Sequence, residues 1–180
     1  MNTDIGLYVA QGPKGFGVYA ARTIRPGDEI LTFTGPLIDY QGTLRLGERE
    51  GDALQIGPDL YVHLGEPGSL VNHSCVPNAG VVNDFHLIAL TPIQLHDEIC
   101  YDYSTTMADG HWTMDCICGE PTCRGRILDF HTLPEGLRQA YLQRGVVQTY
   151  LVRWLQSCME FTTPPPLTVP SSYSSSMEAK

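Results

Sequence analysis

The stretch LVNHSCVPNAG, residues 70–80, sets Asn72, His73, Ser74, Cys75 and Asn78 between apolar neighbours. A turn would account for the Asn, Ser and Pro residues, which supply local side-chain hydrogen bonds and a fixed φ between strands. The rest of the chain decides whether the histidine and the thiol need more than that.

On both sides the texture is that of a β-rich domain. Between residues 7 and 103 short runs such as GVYAA, EILTF, LYVHL, FHLIAL and EICYDY are separated by Gly, Pro, Asn and Asp, the punctuation of many short strands. YQGTLRLGEREGD (40–52) is polar enough for a loop or a short helix. AARTIRPGDEILTF (20–33) and ALTPIQLHDEICYD (89–102) echo each other, sharing Ala, Ile and Asp-Glu-Ile at matching offsets, as two similar corners would. From residue 133 the pattern changes. Pro134 suits a first helical turn, and Leu137, Tyr141, Leu142, Val146, Tyr150, Leu151, Trp154 and Leu155 recur at spacings near three and four. One or two amphipathic helices over 133–160 are expected, with Gly145 as a break. The stretch 162–180, TTPPPLTVPSSYSSSMEAK, lacks the material for a core and is expected to be disordered.

With 180 residues, 42% of them hydrophobic, the chain can bury a core without staples. Its net charge of -9 argues against direct nucleic-acid binding, which needs a basic field, and favours a basic protein or peptide partner. MNTDIGLYVAQG has neither a basic start nor a sustained apolar run, and no later segment approaches spanning length. A soluble, intracellular protein without membrane contact is expected, in the cytoplasm or delivered to a host nucleus. In a reducing compartment its six cysteines are better suited to metal or catalysis than to disulfides.

CICGEPTC (116–123) brings Cys116, Cys118 and Cys123 together with Gly119 and Pro121 bending the chain between them. Pairing two thiols would leave the third free, whereas a tetrahedral zinc ion accepts all three and asks for a fourth. Spacing leaves that fourth ligand open among Cys75, Cys100, Cys158, His73, His111 and His131.

KGFGVYA (14–20), NHSCVPN (72–78), DEICYDY (97–103) and CICGEPTCRG (116–125), in that order and spacing, resemble the SET-domain protein lysine methyltransferases with a post-SET zinc motif. The short chain looks like the small stand-alone members of bacteria and viruses. The resemblance implies a mainly β fold with some α, made of small curved sheets with a knot-like crossing, to which the helical segment read from periodicity is appended. It adds a SET domain at 5–104 and a post-SET zinc segment at 111–128 to the C-terminal helical segment at 133–160 and the disordered tail at 162–180 read above. It makes Cys75 the fourth ligand of one structural zinc. It places S-adenosylmethionine on Lys14, Gly15, Phe16 and Gly17, with Asn72, His73, Tyr103 and Ile117 completing the site. Tyr103 becomes the catalytic tyrosine, Tyr101 the position that limits the product to monomethyl-lysine, and Phe33 part of the lysine channel, where many members carry Tyr. A second departure is Ser69, where many members carry Arg.

The implied reaction is an in-line displacement at a sulfonium methyl by a neutral lysine amine. Free lysine titrates near about 10.4, so a desolvating channel must lower that value, and alignment supplies much of the rate. The competing reading is a non-catalytic module of the same fold that holds a basic protein through its acidic surface.

Overall fold

Local turns build the domain one small sheet at a time. The computed structural model describes residues 6–160, so the expected disorder of 162–180 lies outside the described residues. β1 (Leu7–Gly12) and β2 (Gly15–Ala20) form a hairpin that closes at Gly12↔Gly15. Gly15 has φ +99°, a conformation that favours glycine, and so lets the Pro13–Lys14 turn be tight. β3 (Glu29–Thr32) and β4 (Leu37–Ile38) lead to α1 (Tyr40–Arg45). Asp39 caps α1 by accepting the Gly42 N–H at 2.7 Å. A 3₁₀ turn over Gly47–Asp52 completes the polar insert.

β5 (Ala53–Gly57) and β6 (Leu60–His63) pair antiparallel, and β4 lies on the other side of β6. β7 (Asn72–His73) follows, then β8 (Ala79–Val82) and β9 (His86–Ala89), which add to β3 in the order β3-β9-β8. β10 (Cys100–Tyr101) runs parallel to β7, with Cys100 opposite Asn72 and Tyr101 opposite His73. β11 (Met114–Asp115) and β12 (Arg126–Ile127) form a short antiparallel pair around the cysteine-rich loop. All the sheets but the β11–β12 pair share one core in which Val18, Ile30, Phe33, Leu54, Val62, Val81, Leu87, Ile93 and Ile99 are buried. Each such side chain contributes roughly 1.5–3 kcal/mol by leaving water.

The sequence echo has a structural counterpart. Ile24 and Ile93 exchange backbone hydrogen bonds of 2.9 and 3.0 Å. Ala20 bonds to Asp97 and His96 as Ala89 bonds to Asp28 and Gly27. The two corners therefore clasp each other about a local pseudo-twofold. Gly27 (φ +85°) and His96 (φ +73°) occupy the same position, and only the glycine adopts it freely.

The segment after 133 forms α2 (Glu135–Gln143) and α3 (Thr149–Glu160). Gly145 (φ +68°) separates them. Its N–H reaches Leu142 O at 3.0 Å and the Val146 N–H reaches Tyr141 O at 3.2 Å, a Schellman C-cap that satisfies the last carbonyls of α2. Phe130, Leu133, Tyr141, Val146, Val147, Tyr150 and Leu151 form a second buried cluster. Among the described residues no helix is long and apolar enough to cross a membrane.

Candidate active site

The Sγ atoms of Cys75, Cys116, Cys118 and Cys123 all lie within 4.8 Å of one another, and those of Cys75 and Cys116 are 3.7 Å apart. Four thiolates held about 2.3 Å from a tetrahedral zinc stand about 3.8 Å apart, so the donor set fits that ion and leaves it no open position. Backbone N–H groups of Arg124 and Gly125 donate to Cys75 Sγ and Cys123 Sγ, each at 3.4 Å. Burial opposes ionisation of Cys118. Backbone N–H groups of Cys75 and Glu120, with the neighbouring thiols, outweigh it and bring Cys118 down to about 7. Of the alternatives that spacing left open, the cluster takes Cys75 and none of Cys100, Cys158, His73, His111 or His131.

His73 connects this cluster to Tyr103. Its Nδ1 accepts the Tyr103 N–H at 3.2 Å, which leaves the ring proton of the neutral tautomer on Nε2, 3.4 Å from Cys75 Sγ. Burial keeps the imidazole neutral, lowering it to about 4 against the pull of Asp102.

Lys14, Asn72, His73, Tyr103, Ile117 and Met114 line a recess beside the cluster. It shares Lys14 and Ile117 with a neighbouring recess bounded by Asn78, Glu98 and Cys100. Asn72 Nδ2 donates to Phe16 O at 3.0 Å and to Glu98 Oε1 at 2.7 Å. Lys14 Nζ pairs with Glu98 at 2.7 Å. Burial works against the Lys14 charge, but Glu98 and Cys100 outweigh it and raise its pKa. A Cβ on Gly17 would stand 2.7 Å from Glu98 Oε1 and 2.9 Å from Asn72 Nδ2, so the second glycine of the motif makes room for this polar cluster. The Phe16 and Ile117 side chains are exposed. Paired charges, an amide and an exposed apolar side chain suit a zwitterionic ligand bearing an aromatic base, as S-adenosylmethionine does.

On the other side of Tyr103 lies a narrow cavity lined by Tyr61, Tyr101, Thr106, Trp112 and Glu50 as well as Tyr103. The Tyr101 and Tyr103 rings are 4.8 Å apart, and Trp112 lies 6.3 Å from Tyr103. The Tyr103 hydroxyl donates to Val71 O at 2.8 Å, and burial pushes its pKa well above the ordinary phenol value. It is therefore a donor and no base at any ordinary pH.

Phe33, expected in the lysine channel, is not among the residues lining this cavity. It is 2% exposed, its ring is 5.8 Å from that of Tyr101, and it packs beneath Gly68. With no hydroxyl to keep at a polar surface, the ring sits in the core behind Tyr101. Lys14, Asn72, His73, Tyr103 and Ile117 line the recess, Tyr101 and Tyr103 line the cavity, and Gly15, Phe16 and Gly17 begin β2. Sequence reasoning missed Glu98, Trp112 and Arg124. Glu98 and Arg124 lie inside the quoted motifs DEICYDY and CICGEPTCRG. Trp112 carries no signal beyond its place just before the cysteines.

These features coincide with a family match. The SET-domain profile matches residues 15–104, half of the chain, and the protein belongs to the SET-domain family. It is 29% identical to the variant-silencing SET domain-containing protein of Plasmodium falciparum, over 68% of this chain and 5% of that protein. It is 30% identical to the H3 lysine-4 specific histone-lysine N-methyltransferase of Mycosarcoma maydis, over 61% of this chain and 9% of that protein. It is 32% identical to the histone H3-lysine(4) N-trimethyltransferase ATX1 of Arabidopsis thaliana, over 66% and 13%. The chain thus spans only a small part of these curated relatives. The fold is shared with KRYPTONITE in complex with mCHG DNA and SAH, at TM-score 0.55 and 24% identity over 68% of this chain and 29% of that one. It is also shared with Arabidopsis thaliana SUVH6 in complex with SAM, at TM-score 0.56 and 23% identity over 68% and 32%.

Proposed function

We propose that this protein is an S-adenosylmethionine-dependent protein-lysine N-methyltransferase acting on a basic peptide inside the cell. The observation that carries this reading is Tyr103, which is a shared wall of the polar recess beside the cysteine cluster and of the aromatic cavity. When bound, S-adenosylmethionine would supply an electrophilic methyl on a sulfonium. Lys14, Asn72, His73 and Ile117 would hold it, with Gly15 and Gly17 keeping the backbone open to close approach.

The cavity side handles the amine. Glu50, whose carboxyl is raised by burial and by nearby Asp109, draws in a lysine ammonium. The walls of Tyr101, Tyr103 and Trp112 then disfavour the charged form and release its proton to water. The same walls fix the direction of the nitrogen lone pair, and alignment of that kind accounts for much of the rate. Tyr103 orients and polarises. Tyr101 restricts the space for a methylated amine, and monomethyl-lysine is the product this reading favours. A zinc ion on the four cysteines would tie the 111–128 segment to the catalytic side of the molecule.

The relatives named as H3 lysine-4 enzymes support a histone tail as the first substrate to try, and the net charge of -9 favours such a basic peptide. The test is mass spectrometry of an H3 peptide and of a lysate incubated with the chain and S-adenosylmethionine. A mass gain of one CH2 on a lysine, its N–H replaced by N–CH3, supports the reading. Cofactor binding without transfer to any protein would point to a non-catalytic module, and no cofactor binding by calorimetry would refute it.

A further inference from the structure

Tyr103 opens a short 3₁₀ turn, Tyr103–Thr106, with Asp102 as its N-cap. A turn of this length has no cooperative stability of its own and takes its position from what grips it. Three of the grips come from the C-terminal helical segment. The Tyr141 hydroxyl donates to Asp102 Oδ2 at 2.8 Å, the Gln148 N–H to Thr105 O at 3.1 Å, and the Tyr150 hydroxyl to Thr106 O at 3.1 Å. On the opposite side Tyr103 is fixed by His73 and by Val71 O. Tyr141 is 3% and Tyr150 9% exposed, so phenylalanine would satisfy their packing, and only the hydroxyls reach the turn.

We propose that Tyr141 and Tyr150 are positioning residues for methyl transfer, holding the 102–106 turn so that the Tyr103 hydroxyl stays at the boundary between recess and cavity. The inference rests on the methyltransferase reading for its kinetic consequence and on geometry alone for the clamp. Neither tyrosine lines the recess or the cavity, so neither touches substrate or cofactor. Their effect passes through the backbone of the turn. A displacement on the order of 1 Å at a reacting group costs about a hundredfold in rate, which sets the scale of the expected loss.

The test uses the full zinc-loaded chain, Tyr141→Phe, Tyr150→Phe and the double variant, with amide hydrogen exchange, zinc content and steady-state kinetics measured on each. In the double variant, exchange should quicken over 102–106 and stay unchanged over 15–20 and 86–89. Zinc content and the KM for cofactor should hold, and kcat should fall roughly ten- to a hundredfold. An unchanged kcat in an active protein would overturn the positioning role, and so would faster exchange spread over the whole chain. Localised quickening in a chain that transfers no methyl would support the clamp and count against the methyltransferase reading alone.

Discussion

Arg124→Gln should be among the most damaging substitutions outside the hydrophobic core. The Arg124 Nη2 lies 2.7 Å from Asp102 Oδ1, with the two side chains 18% and 0% exposed. Burial works against the Arg124 charge, and Asp102 more than compensates, with Cys75 and Tyr141 adding to it. At an effective dielectric near 20, unit charges at this separation attract by about 6 kcal/mol. The desolvation of Asp102 remains when its partner is removed, and among the described residues the Tyr141 hydroxyl and the Ser104 N–H are left to compensate it, beside a neutral His73. Removing one member of a buried pair typically costs about 3–5 kcal/mol, which for a chain of this size lowers Tm by roughly 6–20 °C. Urea unfolding followed by the fluorescence of Trp112 and Trp154, with zinc held in excess, measures the loss. Asp102→Asn should remove most of the penalty, so the double-mutant cycle should show a coupling of about 2 kcal/mol or more. A coupling below about 0.5 kcal/mol would refute the view that this pair ties the cysteine-rich segment to the 102–106 turn.

Tyr103→Phe should cut kcat about a hundredfold or more while calorimetry finds cofactor affinity within about threefold, because the lost hydroxyl serves the transfer step. It should also cost about 1 kcal/mol in urea unfolding through the orphaned Val71 carbonyl. Asn72→Ala removes the amide that bridges Phe16 O and Glu98, and calorimetry should register about tenfold weaker cofactor binding, a loss of about 1.4 kcal/mol. Chelation of zinc should quicken amide exchange over 111–128, leave β1 and β2 unchanged and lower activity in step with metal content; full activity of metal-free protein would contradict this. His96→Gly should relieve a left-handed backbone that Gly27 already fits in the paired corner, and raise stability by up to about 1 kcal/mol despite losing the exposed contact with Tyr8.

The parts of the site legible in the sequence are those in which one short segment carries its own chemistry. The 72–78 and 116–125 motifs announce a polar loop and a metal cluster because several ligating or capping residues stand within a few positions of each other. Gly145 announces a helix break because it suits the left-handed C-cap that ends α2. Where an interaction joins distant segments the signal fails. Cys75 and Cys116 are 41 residues apart, so spacing alone could not choose the fourth thiol. Phe33 sits in a run that fits a strand equally well whether it faces the channel or the core behind it, and only packing beneath Gly68 decides.

Tyr141 and Tyr150 show the deeper reason. Helical periodicity assigns them to the buried stripe, correctly, but periodicity measures only which face leaves water. Their hydroxyls reach the Asp102 carboxylate and the Thr106 carbonyl, and Tyr103 likewise reaches the Val71 carbonyl. Every residue carries a backbone carbonyl, so a side chain that recognises one leaves no pattern in the partner's identity. The contacts that hold the 102–106 turn in place are therefore the ones a sequence conceals best. They become visible only when the buried polar groups of the fold are traced one by one to their partners.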